Sequence, residues 1–359
     1  MHLKKILITG GAGFVGSNIA VALKKHFSDL EVIALDNLYR KGSELNLPRL
    51  EKHGIGFIRG DVRNPQDIAK TGKIDFLIEC SAEPSVLAGK DGDTGYLVQT
   101  NLYGAVNCAE YCRKNNAGMI FLSTSRVYPI KPLANCSLIE KPTRFELSDK
   151  QEVAGLSSKG VSEDFPMTGA RSIYGATKYA AEIMLEEYRQ TFSIPVIINR
   201  CGVVAGPWQF GKVDQGIAVF WLASHLFGKP LKYIGFGGAG KQVRDMMHID
   251  DLADLVFLQL KEPAKFANGV WNVGGGGEIS VSLVELTEMC GRITGKKLVV
   301  GSDPETRYAD IPVYISDAGK INTFCGWKAG IPVGKIIEDI YVWLKETPEA
   351  RKLLQTLKT

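Results

Sequence analysis

Residues 5–16, with the sequence KILITGGAGFVG, decide the fold of this chain. The apolar residues 6–8 are typical of a buried strand, and Gly10, Gly13 and Gly16 follow them at intervals of three. Glycines let the backbone approach a pyrophosphate closely, and the N-terminus of the following helix carries a partial positive charge. The stretch therefore predicts a strand, a tight turn and a helix that bind a dinucleotide.

An acidic residue in the right place strengthens this prediction. A second apolar strand, residues 32–35, ends in Asp36, which lies 20 residues after Gly16. A carboxylate at this point binds the hydroxyls of the adenosine ribose and repels a 2′-phosphate. The pattern therefore favours NAD over NADP. A glycine-rich turn of some other α/β protein is the weaker alternative.

The composition is that of a large globular protein. The chain has 359 residues, 45% of them hydrophobic, which is enough for a core divided between two lobes. Its 43 basic and 39 acidic residues leave a net charge of +4, which argues against a nucleic-acid partner. No apolar run has the length of a membrane span, and the early strand leaves no room for a signal peptide. We expect neither a nucleic-acid nor a membrane partner.

The cysteines indicate reduced thiols of a cytosolic protein. There are seven, an odd number, and they form no Cys-x-x-Cys pair. Cys108 and Cys112 are one helical turn apart, but no nearby Cys or His completes a ligand set. We therefore predict no metal site.

Strand and helix patterns alternate along the first half of the chain. Apolar strand patterns at residues 56–58, 75–79, 119–122 and 196–199 are separated by helical patterns, at about 95–113 and from Tyr174 to about Gln190. Such alternation predicts a doubly wound parallel sheet of the Rossmann type, with helices on both faces. Ligands are then expected at the carboxyl ends of the strands.

The later part of the chain predicts a second lobe. From about Gly202, glycine, proline and aromatic residues mix with short elements, before a helical pattern at 248–260 and a strand at 270–273. We therefore expect an NAD-binding Rossmann domain over residues 1–201 and 246–274. A smaller, discontinuous C-terminal lobe over residues 202–245 and 275–359 is expected to bind substrate.

One segment of the first domain has no clear periodicity. Residues 129–168 are polar and are interrupted by Pro132 and Pro142. Because this is long for a loop in a compact domain, we expect a functional or partly ordered insertion.

A tyrosine and a lysine supply the catalytic hypothesis. Tyr174 and Lys178 stand four positions apart in a helical pattern, so their side chains share one face. A nearby ammonium lowers the pKa of a phenol, which can then take a proton from a sugar hydroxyl. Thr124, at the end of the preceding strand, is placed to share that hydroxyl. An ordinary Tyr/Lys pair on a solvated helix face is the weaker alternative.

Taken together, these features resemble the extended short-chain dehydrogenase/reductase superfamily over nearly the whole chain. The match includes the glycine turn, Asp36, residues 60–62, Asn101, Thr124 and the Tyr174/Lys178 pair. Where the family usually carries His on its fourth strand, this chain has Glu79.

The resemblance implies a set of cofactor-binding residues. Asp61 and Val62 are implied to contact the adenine, and Lys178 to hold the nicotinamide ribose as well. The implied set is Gly10, Gly13, Phe14, Val15, Gly16, Asp36, Asn37, Arg40, Asp61, Val62, Ser81, Ala82, Glu83, Asn101, Ser123, Tyr174, Lys178 and Val203.

Within the superfamily, the chain is similar to the CDP-paratose 2-epimerases, or tyvelose epimerases. The similar segments are residues 36–42, Gln209-Phe210 with Asp214-Gln215-Gly216, residues 240–245 and residues 307–312. The resemblance implies that Arg244 and Arg307 clamp the substrate pyrophosphate, and paired guanidinium groups do bind phosphate oxygens bidentately. The implied substrate-binding set is Thr124, Ser125, Gln209, Gln215, Gly216, Tyr233, Gln242, Arg244, Arg307 and Asp310.

Two departures separate the chain from other branches. Thr124 is followed by Ser125-Arg126, whereas the 4,6-dehydratases carry an acid pair there for elimination. Val203 stands where the UDP-galactose type of C4-epimerase has Asn, which weakens a C4 assignment.

We therefore expect NAD-dependent conversion of CDP-paratose to CDP-tyvelose at C2, through a transient keto sugar and one bound NAD. The alternatives are a C4-epimerase or reductase of another UDP-, dTDP- or GDP-sugar, and a non-catalytic NAD sensor. The resemblance also implies a homodimer or homotetramer.

Overall fold

A computed structural model describes residues 3–85, 93–211, 215–267 and 269–356. The strands, numbered β1 to β17 in chain order, are Lys5–Thr9, Glu31–Asp36, Gly56–Arg59, Phe76–Glu79, Gly118–Thr124, Leu138–Glu140, Phe145–Leu147, Leu156–Ser157, Gly160–Val161, Val196–Cys201, Val203–Ala205, Leu231–Ile234, Val243–His248, Val270–Val273, Ser280–Ser282, Val300–Asp303 and Val313–Tyr314.

The α-helices are separated by these strands and by short turns. Numbered α1 to α14 in chain order, they are Phe14–His26, Leu47–Lys52, Pro65–Ala69, Thr94–Val98, Gly104–Asn115, Ile130–Ala134, Ile173–Phe192, Ile217–Phe227, Ile249–Lys261, Pro263–Phe266, Leu283–Thr294, Gly319–Cys325, Val333–Glu346 and Pro348–Thr356.

The central sheet has seven strands in the order β14-β10-β5-β4-β1-β2-β3. The strands β1 to β5 pair in parallel, as the alternating strand and helix patterns predict. The order reverses beside β1, because β2 and β3 lie on one side of it and β4 and β5 on the other. The predicted doubly wound Rossmann sheet is confirmed. In such a sheet, the reversal opens a crevice at the carboxyl ends of the strands, where ligands bind.

The described residues divide into two compact units. The first contains those of segments 1–127, 173–200 and 252–270, and the second contains the remainder. The units are similar in length, whereas the sequence predicts a smaller second lobe. The difference arises because segment 128–172 belongs to the second unit. The assignment of whole domains to cofactor and to substrate stays a prediction.

Segment 129–168 is more regular than its sequence indicates. It contains α6 and two hairpins, β6–β7 and β8–β9, whose strands are only two or three residues long. Strands this short leave no periodic pattern in the sequence. The segment is also tied to other parts of the second unit, since Phe145 N donates to Lys241 O (2.8 Å) and Val161 N donates to Ile315 O (2.8 Å).

The predicted helix at about 95–113 is confirmed, but it is not uniform. It consists of α4, a π-helical turn at Gln99–Tyr103, and α5. Single π turns inside helices are frequent at functional sites. Asn101 lies in this turn and is buried.

Helix α7 is held against the first unit's sheet by buried charges. Lys178 and Glu182 are one turn apart, so they lie on the same face. The Lys178 Nζ is 3.4 Å from the Glu79 Oε2 in β4. Glu182 accepts from the Ser123 hydroxyl in β5 and from the Arg200 guanidinium in β10, with an Nη2–Oε2 distance of 2.7 Å. The helix therefore has polar anchors on three neighbouring strands.

In the second unit, β13 is the centre of a four-stranded sheet. It pairs with β11, β15 and β17. A separate parallel pair joins β12 to β16. Among the described helices, none is both long and apolar enough to cross a bilayer.

The buried Glu182–Arg200 pair gives a stability prediction. Glu182→Ala leaves the Arg200 guanidinium without its carboxylate, so we expect a loss of about 3–5 kcal/mol in the free energy of unfolding. Urea denaturation measures it. The control is Glu110→Ala, which breaks a half-exposed pair with Arg113 and should cost less than about 1 kcal/mol. Equal losses of unfolding free energy in the two variants would contradict the stabilising role of the buried pair.

Candidate active site

The tight turn after β1 requires glycines, because side chains at Gly10 and Gly16 would collide with the protein backbone. Gly10 has a φ of +62°, and a Cβ there would lie 2.7 Å from the Cys80 carbonyl oxygen. A Cβ on Gly16 would lie 2.3 Å from the Gly10 oxygen. Helix α1 begins at Phe14 without a side-chain cap from Gly13, so its first N–H groups are available to an anion. The turn fits the pyrophosphate of a dinucleotide.

Three side chains behind the turn fix its shape, and the sequence analysis does not identify them. Asn46 is fully buried and donates from Nδ2 to the Ala12 oxygen (2.9 Å). Asn18 donates to the Phe14 oxygen (2.8 Å), and Arg49 donates to Asn18 Oδ1 (2.6 Å). These contacts join residues up to 34 positions apart, so no local motif reveals them.

Asp36 is placed as predicted, at the end of β2 beside the glycine turn. Its carboxylate accepts from Ala12 N (3.1 Å) and Leu38 N (2.8 Å). Burial raises the pKa of Asp36, and the hydrogen bonds from Leu38, Ala12 and Gly13 oppose that effect. A carboxylate has four lone-pair sites, so acceptor capacity remains for ribose hydroxyls.

A cavity in the first unit lies at the carboxyl ends of β1 to β4. Ten of the predicted cofactor residues line it: Gly10, Gly13, Asp36, Asn37, Arg40, Asp61, Val62, Ser81, Ala82 and Glu83. The lining also includes residues outside the predicted cofactor set, which are Leu35, Tyr39, Ser43, Gly60, Cys80, Tyr96 and Thr100. The cavity lies where the strand order reverses, as the general rule for open α/β sheets requires.

Asp61 forms hydrogen bonds with protein side chains that the resemblance does not imply. Its carboxylate receives two hydrogen bonds from the Arg63 guanidinium (2.9 and 2.6 Å) and one from Asn37 Nδ2 (2.9 Å). Burial acts to raise the pKa of Asp61, but these hydrogen bonds outweigh it and lower the pKa to about 2. The carboxylate is therefore ionised at neutral pH, and its contact with adenine stays a prediction.

Two tyrosines at the cavity are further candidates for cofactor contact. The rings of Tyr39 and Tyr96 are 5.1 Å apart between centroids, and the Arg63 guanidinium lies 5.0 Å from the Tyr96 ring centre. Tyr39 belongs to the matched segment 36–42, so the sequence carries a signal for it. Tyr96 lies in α4, outside every motif quoted above, and gives none.

Asn101 is a positioning residue in this structure. Its side chain accepts from Glu83 N (2.9 Å) and donates to Glu83 O (3.1 Å) and to Thr177 Oγ1 (3.3 Å). It therefore ties a cavity-lining residue to helix α7. The π turn presents the amide to both partners.

The predicted catalytic side chains lie on β5 and α7 of the first unit. Thr124 ends β5, and its Oγ1 accepts from Arg126 N (3.2 Å). Tyr174 is in the first turn of α7 and is 8% exposed. Lys178 is 2% exposed, and its Nζ lies 3.8 Å from the centre of the Phe121 ring. The predicted i, i+4 arrangement of Tyr174 and Lys178 on one helix is confirmed.

Several other predicted residues do not line the cavity. Phe14, Val15 and Gly16 form the first turn of α1. The Ser123 hydroxyl donates to Glu182, so its observed role is to anchor α7. Ser125 opens a short 3₁₀ turn after β5, and Val203 begins β11 of the second unit.

In the second unit, the structure brings together Arg244 and Asp310. The Arg244 Nη2 is 3.7 Å from the Asp310 Oδ1 and donates to the Ile311 oxygen (2.7 Å). Asp310 N donates to the Arg307 oxygen (3.0 Å), which closes a turn at residues 307–310. These residues, two of them basic, share one region of the unit, and their phosphate-binding role stays a prediction.

The other predicted substrate residues form two smaller groups. Gln209 packs against Gly216, which precedes α8 with a φ of +66°. Gln242 donates to the Ile234 oxygen (3.0 Å), next to Tyr233, whose hydroxyl donates to Thr287 Oγ1 (2.9 Å).

Two of these glutamines, Gln209 and Gln242, have a buried amide oxygen that could accept a hydrogen bond. The Nε2–H groups of Gln209 and Gln242 each donate to a backbone carbonyl oxygen, which fixes the orientation of each amide. In that orientation, the Oε1 of each side chain is buried and has no hydrogen-bond partner in the protein. Gln215 lies just before Gly216, whereas Asp214 of the same motif lies outside the described residues.

Asp245, beside Arg244 in the same motif, is a buried carboxylate. Ser316 N donates to its Oδ2 (3.2 Å). A Cβ on Gly274 would lie 2.2 Å from that oxygen, so only glycine permits this packing. Burial raises the pKa of Asp245 to about 6, against hydrogen bonds from Ser316, Gly276 and Gly275.

A family model described as the NAD dependent epimerase/dehydratase family matches residues 6–274. The CDP-paratose 2-epimerase of Salmonella typhi is 30% identical to this chain, over 94% of the chain and 98% of its own length. The dTDP-glucose 4,6-dehydratase of Salmonella typhimurium is 26% identical, over 90% of this chain and 88% of its own.

Solved structures share the fold. The UDP-glucuronic acid 4-epimerase of Bacillus cereus, in complex with UDP-glucuronic acid and NAD, is 26% identical, with a TM-score of 0.76 over 95% of this chain and 99% of its own. The UDP-glucose 4-epimerase of Thermotoga maritima, with UDP-glucose, is 23% identical, with a TM-score of 0.78 over 96% and 100%.

The position of Asp36 predicts its effect on cofactor choice. Asp36→Ser removes a charged acceptor, and hydrogen bonds to charged groups contribute about 1.5–3 kcal/mol, so the Kd for NAD should rise about ten- to a hundredfold. Discrimination against NADP should fall, because the repulsive charge is gone. Calorimetric titration of both dinucleotides measures this.

The control for Asp36 is another carboxylate that accepts two backbone N–H groups. Asp75 binds Lys4 N and Lys5 N at the opposite end of β1, away from the cavity. Asp75→Ser should leave the ratio of the two dissociation constants unchanged. An unchanged ratio in Asp36→Ser as well would refute the assigned role.

The raised pKa of Asp245 predicts a pH-dependent stability. Because its folded-state pKa (about 6) exceeds the ordinary value of 3.8, its stabilising contribution is present below about pH 4 and is lost as pH rises through 6. A shift of about two units corresponds to about 3 kcal/mol. The free energy of unfolding of wild type should therefore fall by that amount relative to Asp245→Asn. Denaturation from pH 4 to 7 tests this, with the exposed Asp149→Asn as control. Parallel curves for wild type and Asp245→Asn would count against it.

Proposed function

Because this chain belongs to the NAD dependent epimerase/dehydratase family, we propose that it is a nucleotide-sugar epimerase that converts CDP-paratose to CDP-tyvelose by inversion at C2. The observation that carries the epimerase assignment is the buried Tyr174/Lys178 face of α7, which is anchored to the strand that ends in Thr124. The CDP-sugar assignment is supported by the 30% identity with a CDP-paratose 2-epimerase over 94% of the chain.

NAD is the cofactor of the family, and when bound it supplies reversible acceptance of a hydride from the sugar carbon. The glycine turn and Asp36 would hold its pyrophosphate and ribose. The cavity residues around Asp61 would receive the adenosine half. An epimerase restores its cofactor in each cycle, so a site that retains the dinucleotide through many turnovers suits this chemistry.

Tyr174 is the proposed acid and base. Its phenolate takes the proton of the C2 hydroxyl as the carbon is oxidised, and the phenol returns that proton after the opposite face has been reduced. The Lys178 ammonium stabilises the phenolate, and the Thr124 hydroxyl binds the same sugar oxygen. The sugar passes through a transient ketone and leaves with no net change in oxidation state.

The residues after Thr124 favour epimerisation over elimination. A 4,6-dehydratase needs an acid and a base there, but the chain has Ser125 and Arg126, and the Arg126 N–H is bonded to the Thr124 hydroxyl. Neither side chain is a carboxylic acid. This chain therefore lacks the acid pair that the elimination reaction would use.

The nucleotide half of the substrate is assigned to the second unit. Arg244 and Arg307 are proposed to bind the pyrophosphate, since guanidinium groups bind phosphate oxygens bidentately. Asp310, 3.7 Å from Arg244, would hold that guanidinium in place. The predicted dimer or tetramer and the predicted cytosolic location stay predictions.

The substrate test supplies CDP-paratose to the purified protein without added NAD, and it follows C2 by proton NMR. We expect CDP-tyvelose to form with no accumulation of NADH. Turnover of UDP- or dTDP-sugars, but of no CDP-sugar, would discard the CDP assignment. Stoichiometric NADH would indicate a reductase or dehydrogenase. NAD binding without turnover of any nucleotide sugar would favour a sensor.

The role of Tyr174 has its own test. Tyr174→Phe removes the acid and base, so kcat should fall about 10²- to 10⁴-fold with little change in NAD affinity. Tyr188→Phe is the matched control on the same helix, because it removes only a 3.4 Å contact with Glu110 and should keep a near-normal rate. A Tyr174→Phe enzyme with wild-type kcat would eliminate this residue as the base.

A further inference from the structure

The Lys178 ammonium has a buried carboxylate partner that the reaction scheme above does not use. Both side chains of the Lys178–Glu79 pair are 2% exposed, and the Nζ–Oε2 distance is 3.4 Å. The aromatic face of Phe121 covers the ammonium at 3.8 Å. A cation at this depth with no opposite charge would favour its neutral form.

We propose that Glu79 is a positioning residue, which keeps Lys178 charged and in place one helical turn from Tyr174. For its effect on turnover, the inference rests on the proposed epimerase function. For its effect on the ammonium, it stands on the geometry alone. Glu79 would then act on the reaction only through Lys178.

The length of the contact is suited to this role. Charge-assisted N–H···O bonds are usually about 2.7–2.9 Å long, so the 3.4 Å pair is a loose one. An ammonium has three N–H groups, and the remaining ones can serve the phenolate and a ribose hydroxyl. Glu79 thus supplies a counter-charge without occupying the ammonium fully.

In the described part of the chain, no cation other than Lys178 contacts Glu79. Across the sheet its neighbours are Thr9 in β1 and Phe121 in β5, neither of which is charged. From α5 it faces the buried Cys108 thiol, whose pKa is raised well above its usual range, by burial first and by Glu79 next. Burial raises the pKa of Glu79, and the charge of Lys178 opposes that effect.

Two further ionisable groups lie on the helix beside Lys178. Tyr174 is one turn before it. Glu182 is one turn after it and is already paired with Arg200. Among the described residues that contact Glu79, Lys178 is the charged one. A change at Glu79 is therefore expected to act first on Lys178.

The experiment compares Glu79→Gln with wild type in the full-length protein. Lysine labelled with ¹³C at Cε reports the titration of Lys178 by NMR, and Lys178→Met assigns the signal. In Glu79→Gln, the Lys178 signal should change with pH over a lower range than in wild type, because the buried ammonium has lost its counter-charge. Glu79→Asp, which keeps the carboxylate, should show a smaller shift than Glu79→Gln.

Turnover gives the second readout. As pH rises through the lowered midpoint of Lys178, the ammonium is lost, so kcat of Glu79→Gln should gain an alkaline limb at that same pH. The KM should change less than about twofold, because Glu79 does not touch substrate. Agreement of the NMR midpoint with the kinetic limb identifies the action as one through Lys178.

The control is Gln259→Met, which breaks another buried polar pair of the first unit. Gln259 exchanges two hydrogen bonds with Asn199 (2.9 and 2.8 Å), so the variant loses stability without a change of charge. This variant should change neither the NMR titration of Lys178 nor the pH dependence of kcat. An unshifted Lys178 titration in Glu79→Gln, or an equal shift in Gln259→Met, would overturn the inference.

The two proposals can fail separately. If wild type epimerises no nucleotide sugar, the proposed function fails, and the NMR titration still decides the role of Glu79. If Glu79→Gln does not fold, the Glu79→Asp titration decides it. There we expect a smaller shift in the same direction, since the shorter carboxylate lies farther from Nζ, and no shift would contradict the inference.

Discussion

The geometry of the candidate site depends on how a helix that carries buried charge is held against a sheet. Lys178 and Glu182 of α7 need partners of opposite charge, because burying an unpaired charge costs several kcal/mol. Those partners lie on β4 and β10, with a hydroxyl on β5 between them in the strand order. The rotation and register of α7 are therefore restricted, and Tyr174 is presented at one defined position in its first turn.

A second constraint is the reversal of strand order beside β1. It brings the ends of β1 to β4 to one cavity, and Gly10 and Gly13 of the glycine turn are part of the cavity lining. Asp36 is held there by backbone N–H groups of the same turn. The candidate dinucleotide cavity and the elements that carry Thr124, Tyr174 and Lys178 thus both belong to one sheet and its packed helix.

Local motifs in the sequence were sufficient for the main elements. The strand, glycines and helix at residues 5–26, the acid at Asp36 and the Tyr174/Lys178 face of α7 are all short-range patterns, and the structure has each of them. Ten of the predicted cofactor residues line one cavity.

What the sequence could not predict depends on contacts between distant positions. Glu79 and Lys178 are 99 positions apart, and Ser123 and Glu182 are 59 apart. The sequence marks Glu79 only as a departure from a family pattern, and the family resemblance assigns Ser123 to the cofactor. The hairpins of segment 129–168 were missed for another reason, since their strands are too short to show a period.

The central claim is that the hydrogen on the inverted carbon leaves and returns within one closed site. CDP-paratose carrying deuterium at C2, converted by the wild-type protein in ordinary water, tests this directly by NMR or mass spectrometry of the product. The account predicts CDP-tyvelose that keeps its deuterium at C2. Replacement of the deuterium by hydrogen from solvent would contradict it, because that outcome indicates deprotonation of the carbon.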